Sequence, residues 1–224
     1  MERPVAPPRL PDADDTLFFM GLLEAGHAGA FQSAYYLTQR SPREHVEGVS
    51  ASLVAAEHAR ARGDGAAVIE ALRGVARGFT ENGDHATAVI FSSRALASAR
   101  ASGDAASEII LLLDVLSSEE ARGNRAAAVA LAESAVVAAG VAGDAMRGTV
   151  SRTAVMRLRS ADADAAEAAG DAIGSLRYQL MVLATASDMG DVEIEARARY
   201  AAGRASVRAG DAQQGILHLK EFVR

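Results

Sequence analysis

The chain has 224 residues, a formal charge of −6 and a sequence pI near 5.4; half its residues are hydrophobic, yet only 4% are aromatic, and it lacks Trp and Cys. The acidic balance argues against a general nucleic-acid binder, which needs surplus positive charge to displace counterions. The lack of Cys excludes disulfides and thiolate metal sites and fits a reducing compartment.

In chain order, residues 1–15 are proline-rich and acidic and read as a disordered lead. The start, Met1-Glu2-Arg3-Pro4, has no signal-peptide apolar core. Residues 16–40 are helical in pattern and carry large apolar residues such as Leu17, Phe18, Phe19, Leu22, Phe31 and Tyr35. They read as the cap that seals one end of a stack, since a terminal repeat lacks a neighbour on one side. Ser41-Pro42-Arg43-Glu44 is a capping box with proline at the first helical position, opening a helix that runs to about Arg62. No proline follows Pro42, so none interrupts a helix beyond it.

A beat of twenty residues then takes over. Gly63-Asp64, Gly83-Asp84, Gly103-Asp104, Gly123-Asn124 and Gly143-Asp144 are evenly spaced, and the beat restarts at Gly170-Asp171, Gly190-Asp191 and Gly210-Asp211. Each pair is a helix stop followed at once by a helix start. Glycine accepts the left-handed conformation that closes a helix, and the next side chain's oxygen takes the free N–H groups of the new one. Helices are therefore expected near 65–82, 85–102, 105–122, 125–142, 146–169, 172–189 and 192–209, with a last one from Ala212. The helix before Gly170 is seven residues, about two turns, longer than its fellows. Its Ala161-Asp162-Ala163-Asp164 stretch is expected to project from the stack as a solvated face. No run approaches the ~18 apolar residues of a membrane span. A period of this kind signals stacked units, and residues 41–224 read as one all-α solenoid.

Alternate helices differ. Ala88, Ser92 and Ala95 follow one glycine at the offsets that Ala128, Ala132 and Ala135 follow another, and Gly215 holds the first of these offsets in the last unit. Seven or eight residues before a glycine stand Val75-Ala76, Val115-Leu116 and Ala202-Gly203. This pattern resembles the tetratricopeptide repeat, whose unit is a helix pair of about forty residues. The resemblance implies stacked antiparallel hairpins in a right-handed superhelix, with the first helix of each pair lining a concave groove. Carrying the groove offsets over gives Glu70, Arg73, Arg77 and Glu81, then Ile110, Leu113, Ser117 and Glu120, then Arg197, Tyr200, Arg204 and Arg208. A groove that is apolar in the middle and basic towards its C-terminal end suits an acidic peptide or helix; the bland alternative is that these arginines are simply solvated. The Lys and Asn residues with which chaperone-binding relatives grip a C-terminal carboxylate are missing.

Within that superfamily, Leu22-Leu23-Glu24-Ala25-Gly26-His27 with Phe31 and Leu37, Ala55-Ala56-Glu57-His58-Ala59, and Val68, Leu72, Phe79, Asp84, Phe91, Arg94 and Ala99 resemble the ciliary tetratricopeptide repeat protein twenty-nine family. The ending Ile216-Leu217-His218-Leu219-Lys220-Glu221-Phe222-Val223 is similar too. The resemblance implies a non-enzymatic protein of the cilium or flagellum axoneme, partnered by axonemal dynein or intraflagellar transport subunits.

Candidate chemistry is thin. His27, His45, His58, His85 and His218 make no i,i+3 or i,i+4 pair of the kind that starts a helical zinc site. Gly63-Asp64-Gly65 joins two helices and lacks the Lys-Ser/Thr of a phosphate loop. Arg62-Gly63-Asp64, an adhesion-type tripeptide, is explained by the repeat. No Gly-x-Ser-x-Gly elbow occurs. Asp162, Asp164 and Glu167 read as solubilising. The expectation is a cytoplasmic, non-catalytic scaffold without cofactor, metal, nucleic acid, membrane or small-molecule substrate. The rival is a regulatory sensor module that closes on a peptide or small effector.

Overall fold

The computed structural model describes residues 43–222, and among them every regular element is an α-helix. The helices are α1 (Arg43–Ala61), α2 (Gly65–Glu81), α3 (His85–Ser102), α4 (Ala105–Ala121), α5 (Arg125–Ala142), α6 (Ala145–Ala168), α7 (Ala172–Met189), α8 (Val192–Arg208) and α9 (Ala212–Phe222). The expected lead (1–15), cap (16–40) and the Ser41-Pro42 half of the capping box lie outside the described residues. The other boundaries agree with the sequence reading to within one or two residues.

The agreement has a local cause. All eight glycines of the beat sit at φ between 68 and 89°. The residue after each does two jobs. Asp84 donates its backbone N–H to the Phe79 carbonyl (2.9 Å), closing α2, while its carboxylate accepts from the Thr87 N–H (3.0 Å), opening α3. The backward bond recurs from Asp64, Asp104, Asn124, Asp144, Asp171 and Asp211, and the forward one from every aspartate of the series. At most junctions two residues thus satisfy orphan backbone groups of both helix ends, which keeps the connection short.

The chain divides into two compact units, one ending at Asn124 and the other beginning at Arg125. In the first, α1–α4 pack as successive antiparallel hairpins. Phe79 and Phe91, both fully buried, stack with ring centroids 5.7 Å apart, and Ile69, Leu72, Ile109, Leu111 and Leu112 are buried in the same unit. In the second, α5–α9 pack the same way over a lighter core of Val155, Leu158, Val182, Leu183, Ala186, Ala198 and Ala202, with Met156 and Ile194 half-buried against it. The small residues singled out in the sequence are buried: Ala88, Ala95, Ala128 and Ala135 are wholly so. At the α8–α9 crossing two glycines bring backbones together. A methyl on Gly215 would lie 2.5 Å from the Val207 Cγ2 and 3.0 Å from the Gly203 carbonyl oxygen.

Two expectations need correction. The Asp162-Ala163 stretch does not project: Ala163 is fully buried, and Asp162 pairs with Arg125 of α5 (3.5 Å) and Arg159 (3.9 Å). Two extra turns nearly preserve helical register, so the lengthened helix keeps its packed face. Second, α5 is by length and composition apolar enough to cross a membrane. Its apolarity comes from alanines together with Val129, Leu131, Val136, Val137 and Val141. Ala128, Val129, Ala132, Ala135 and Ala139 are buried, and its Glu133 is tied to Arg159 of α6 at 2.8 Å, as Arg125 is to Asp162.

Candidate functional site

Each unit places a cleft between two even-numbered helices, floored by the odd-numbered helix that joins them. In the first unit α2 and α4 form the walls and Ser92 of α3 the floor, enclosing about 160 Å³. In the second, α6 and α8 form the walls, and Ser175 and Gln179 of α7 the floor, enclosing about 600 Å³. Ser92 and Gln179 are equivalent, each nine residues past its glycine. A small buried serine lets the α2 and α4 walls come together, whereas glutamine occupies more of the floor.

Ion pairs span both clefts. The Arg73 Nε donates to Asp114 at 3.0 Å, and Arg208 pairs with Glu167. In each case the partners are 41 residues apart, close to the forty-residue helix pair of the sequence reading. The polarity is opposite. In the first cleft the arginines stand on the earlier helix, beside Glu70, and face Asp114 on the later; in the second the acids stand on the earlier helix and the arginines on the later.

The expected groove residues divide accordingly. Arg73 and Arg77 line the first cleft with Glu70 and Ser117, and Arg77 is exposed without a carboxylate partner among the described residues. Ile110 and Leu113 are half-buried on α4 and line neither cleft. Arg204 and Arg208 line the second cleft. Arg197 pairs with Glu193 one turn back on α8, outside the cleft. Tyr200 lies against Phe222 of α9 (centroids 5.4 Å) and under the Arg204 guanidinium (5.8 Å). Sequence reasoning passed over Asp114, Ser175 and Gln179 and set Asp164 and Glu167 aside as solubilising. A signal existed for Asp114: it stands one helix pair after Arg73, so stacking the repeats brings them together.

The carboxylates with displaced titration serve architecture. The Ser107 hydroxyl, then its N–H, hold Asp104 below the usual carboxylate range; the Arg147 backbone N–H, then its guanidinium, do the same for Asp144. Arg199, then Ser187, lower Glu195. No group of three or more His, Asp or Glu that could hold a metal ion occurs among the described residues.

No family model matches the chain, and no curated protein matches it. Among solved structures it is similar to a putative kinesin light chain with nearly identical TPR-like repeats from Podosopora anserina, at 13% identity over 95% of both chains with a TM-score of 0.43. A variant of that protein aligns at 15% identity over the same shares with a TM-score of 0.44. BtubC (BKLC) from P. vanneervenii aligns at 12% identity over 82% of this chain and 91% of the other, with a TM-score of 0.37.

Proposed function

We propose that this chain is a non-catalytic protein-interaction scaffold, built from tetratricopeptide-like helix pairs, whose even-numbered helices present charged residues to a partner. The observation that carries the reading is the cleft built twice on one plan, each walled by helices a repeat apart. A preformed surface of this kind binds by multipoint contact and loses little conformational freedom in doing so.

The cellular setting rests on the sequence resemblance alone: a role in motile cilia or flagella, in the axoneme, with axonemal dynein or intraflagellar transport subunits as partners. Affinity purification of the tagged chain from growing flagella tests it. Recovery of dynein or transport subunits supports the ciliary reading, and their absence, or a source organism without motile cilia, removes it. The size of the second cleft favours one alternative, a regulatory module that takes a peptide or small effector, since about 600 Å³ falls within the range of ligand pockets.

A further inference from the structure

The cleft between α6 and α8 holds polar groups that the described residues leave unsatisfied, and they stand on facing walls. Asp164 on the α6 wall is exposed and has no cation partner among the described residues. Arg204 on the α8 wall has no carboxylate partner there, and Tyr200 lies beneath its guanidinium. The floor adds the Ser175 hydroxyl, from a residue only 4% exposed, and the Gln179 carboxamide; neither has a hydrogen-bond partner among the described residues. The Glu167–Arg208 pair stands where the cleft meets a smaller space of about 180 Å³ beside Gly170 and Ala172.

We propose that this cleft binds a ligand bringing a carboxylate to Arg204 and an ammonium to Asp164, with an amide hydrogen-bonded to Gln179. A short extended peptide segment with neighbouring acidic and basic side chains has this chemistry, and so does a free dipeptide zwitterion. The inference deepens the scaffold reading and rests on it. A purely acidic ligand would face Asp164 and Glu167, and a purely basic one Arg204 and Arg208; like charges brought together in a cleft disfavour both. Arg204 offers a planar, bidentate donor for the carboxylate, and its ring support restricts where that donor points. The first cleft lacks this arrangement: it is smaller, and Arg77, unpaired among the described residues, faces no unpaired carboxylate, since Asp114 and Glu70 both contact Arg73.

The test is fluorescence anisotropy with the full chain and three labelled hexapeptides: alternating Glu-Lys, all-Glu and all-Lys. The alternating peptide is expected to bind about tenfold more tightly than either homopolymer, the worth of one good charge-assisted contact. Arg204→Glu should abolish that preference and favour all-Lys; Asp164→Lys should favour all-Glu. Both positions are exposed, and circular dichroism is to check that the variants keep their helices. Competition by free Glu-Lys dipeptide at similar concentration assigns the site to a small zwitterion, and its failure to compete assigns it to a peptide. Equal binding of the three hexapeptides, no binding, or indifference to both substitutions overturns the inference. Loss on Arg77→Glu instead of Arg204→Glu also overturns it, by moving the site to the first cleft, and leaves the scaffold reading standing.

Discussion

The two units follow one plan with different materials. The first closes over a stacked phenylalanine pair and a full set of Leu and Ile; the second relies on Val, Ala and two leucines, and buries no aromatic ring among its described residues. Their surfaces differ in the opposite sense. Val54 is the only large apolar residue of the first unit exposed among the described residues, whereas the second exposes Val141, Val192, Ile173, Met146 and several more. Larger core side chains remove more apolar area from water, so the first unit is expected to be the sturdier. The second, with a roomier cleft and less buried to hold it, is the one suited to adapt around a partner.

The largest effect that would sharpen this contrast is Phe79→Ala, which removes one ring of the stack and should cost about 3–5 kcal/mol in urea unfolding. A cost below about 1 kcal/mol would mean that the first core is not close-packed. Next comes Gly215→Ala. The added methyl meets the Gly203 carbonyl across α8–α9, and since backbone cannot step aside as a side chain can, about 1–3 kcal/mol is expected. Asp84→Ala should cost about 1 kcal/mol by opening the start of α3. Smallest is Asp114→Asn, which breaks a half-exposed ion pair and should cost under about 1 kcal/mol, less still in high salt.

Acid should act on both units through the junctions. Asp104 and Asp144 have folded-state pKa values lowered by hydrogen bonds to their ionised forms, so their stabilisation is present above the unfolded Asp pKa of about 3.9 and lost as pH falls through the folded values. Helicity followed by circular dichroism should hold at pH 6 and fall below about pH 4. Replacing Asp144 with Asn, which caps without titrating, should remove its share of that loss.

The junctions were the legible part because stop and start signals are adjacent residues with local bonds; Gly83 and Asp84 specify their turn without reference to anything distant. The lengthened helix before Gly170 was legible for the same reason. The clefts were not. Their walls come from residues 41 apart, and whether Arg73 meets solvent or Asp114 depends on how the helices stack. Gln179 gains a meaning only from its place on the floor, level with Ser92. Asp162 misled because an acidic residue among alanines looks solvated until Arg125 is brought beside it. The apolar character of α5 was hidden because Arg125, Glu133 and Ser134 interrupt its run of alanines and valines.

The central claim is that the walls of both clefts are set by helices one repeat apart. Because the chain has no native cysteine, pairs can be introduced cleanly at positions 73 and 114, and at 167 and 208, and treated with a short bismaleimide linker. The account predicts intramolecular crosslinking of both pairs in the folded chain and of neither in urea. Failure of both pairs to link in a chain that remains helical would contradict it.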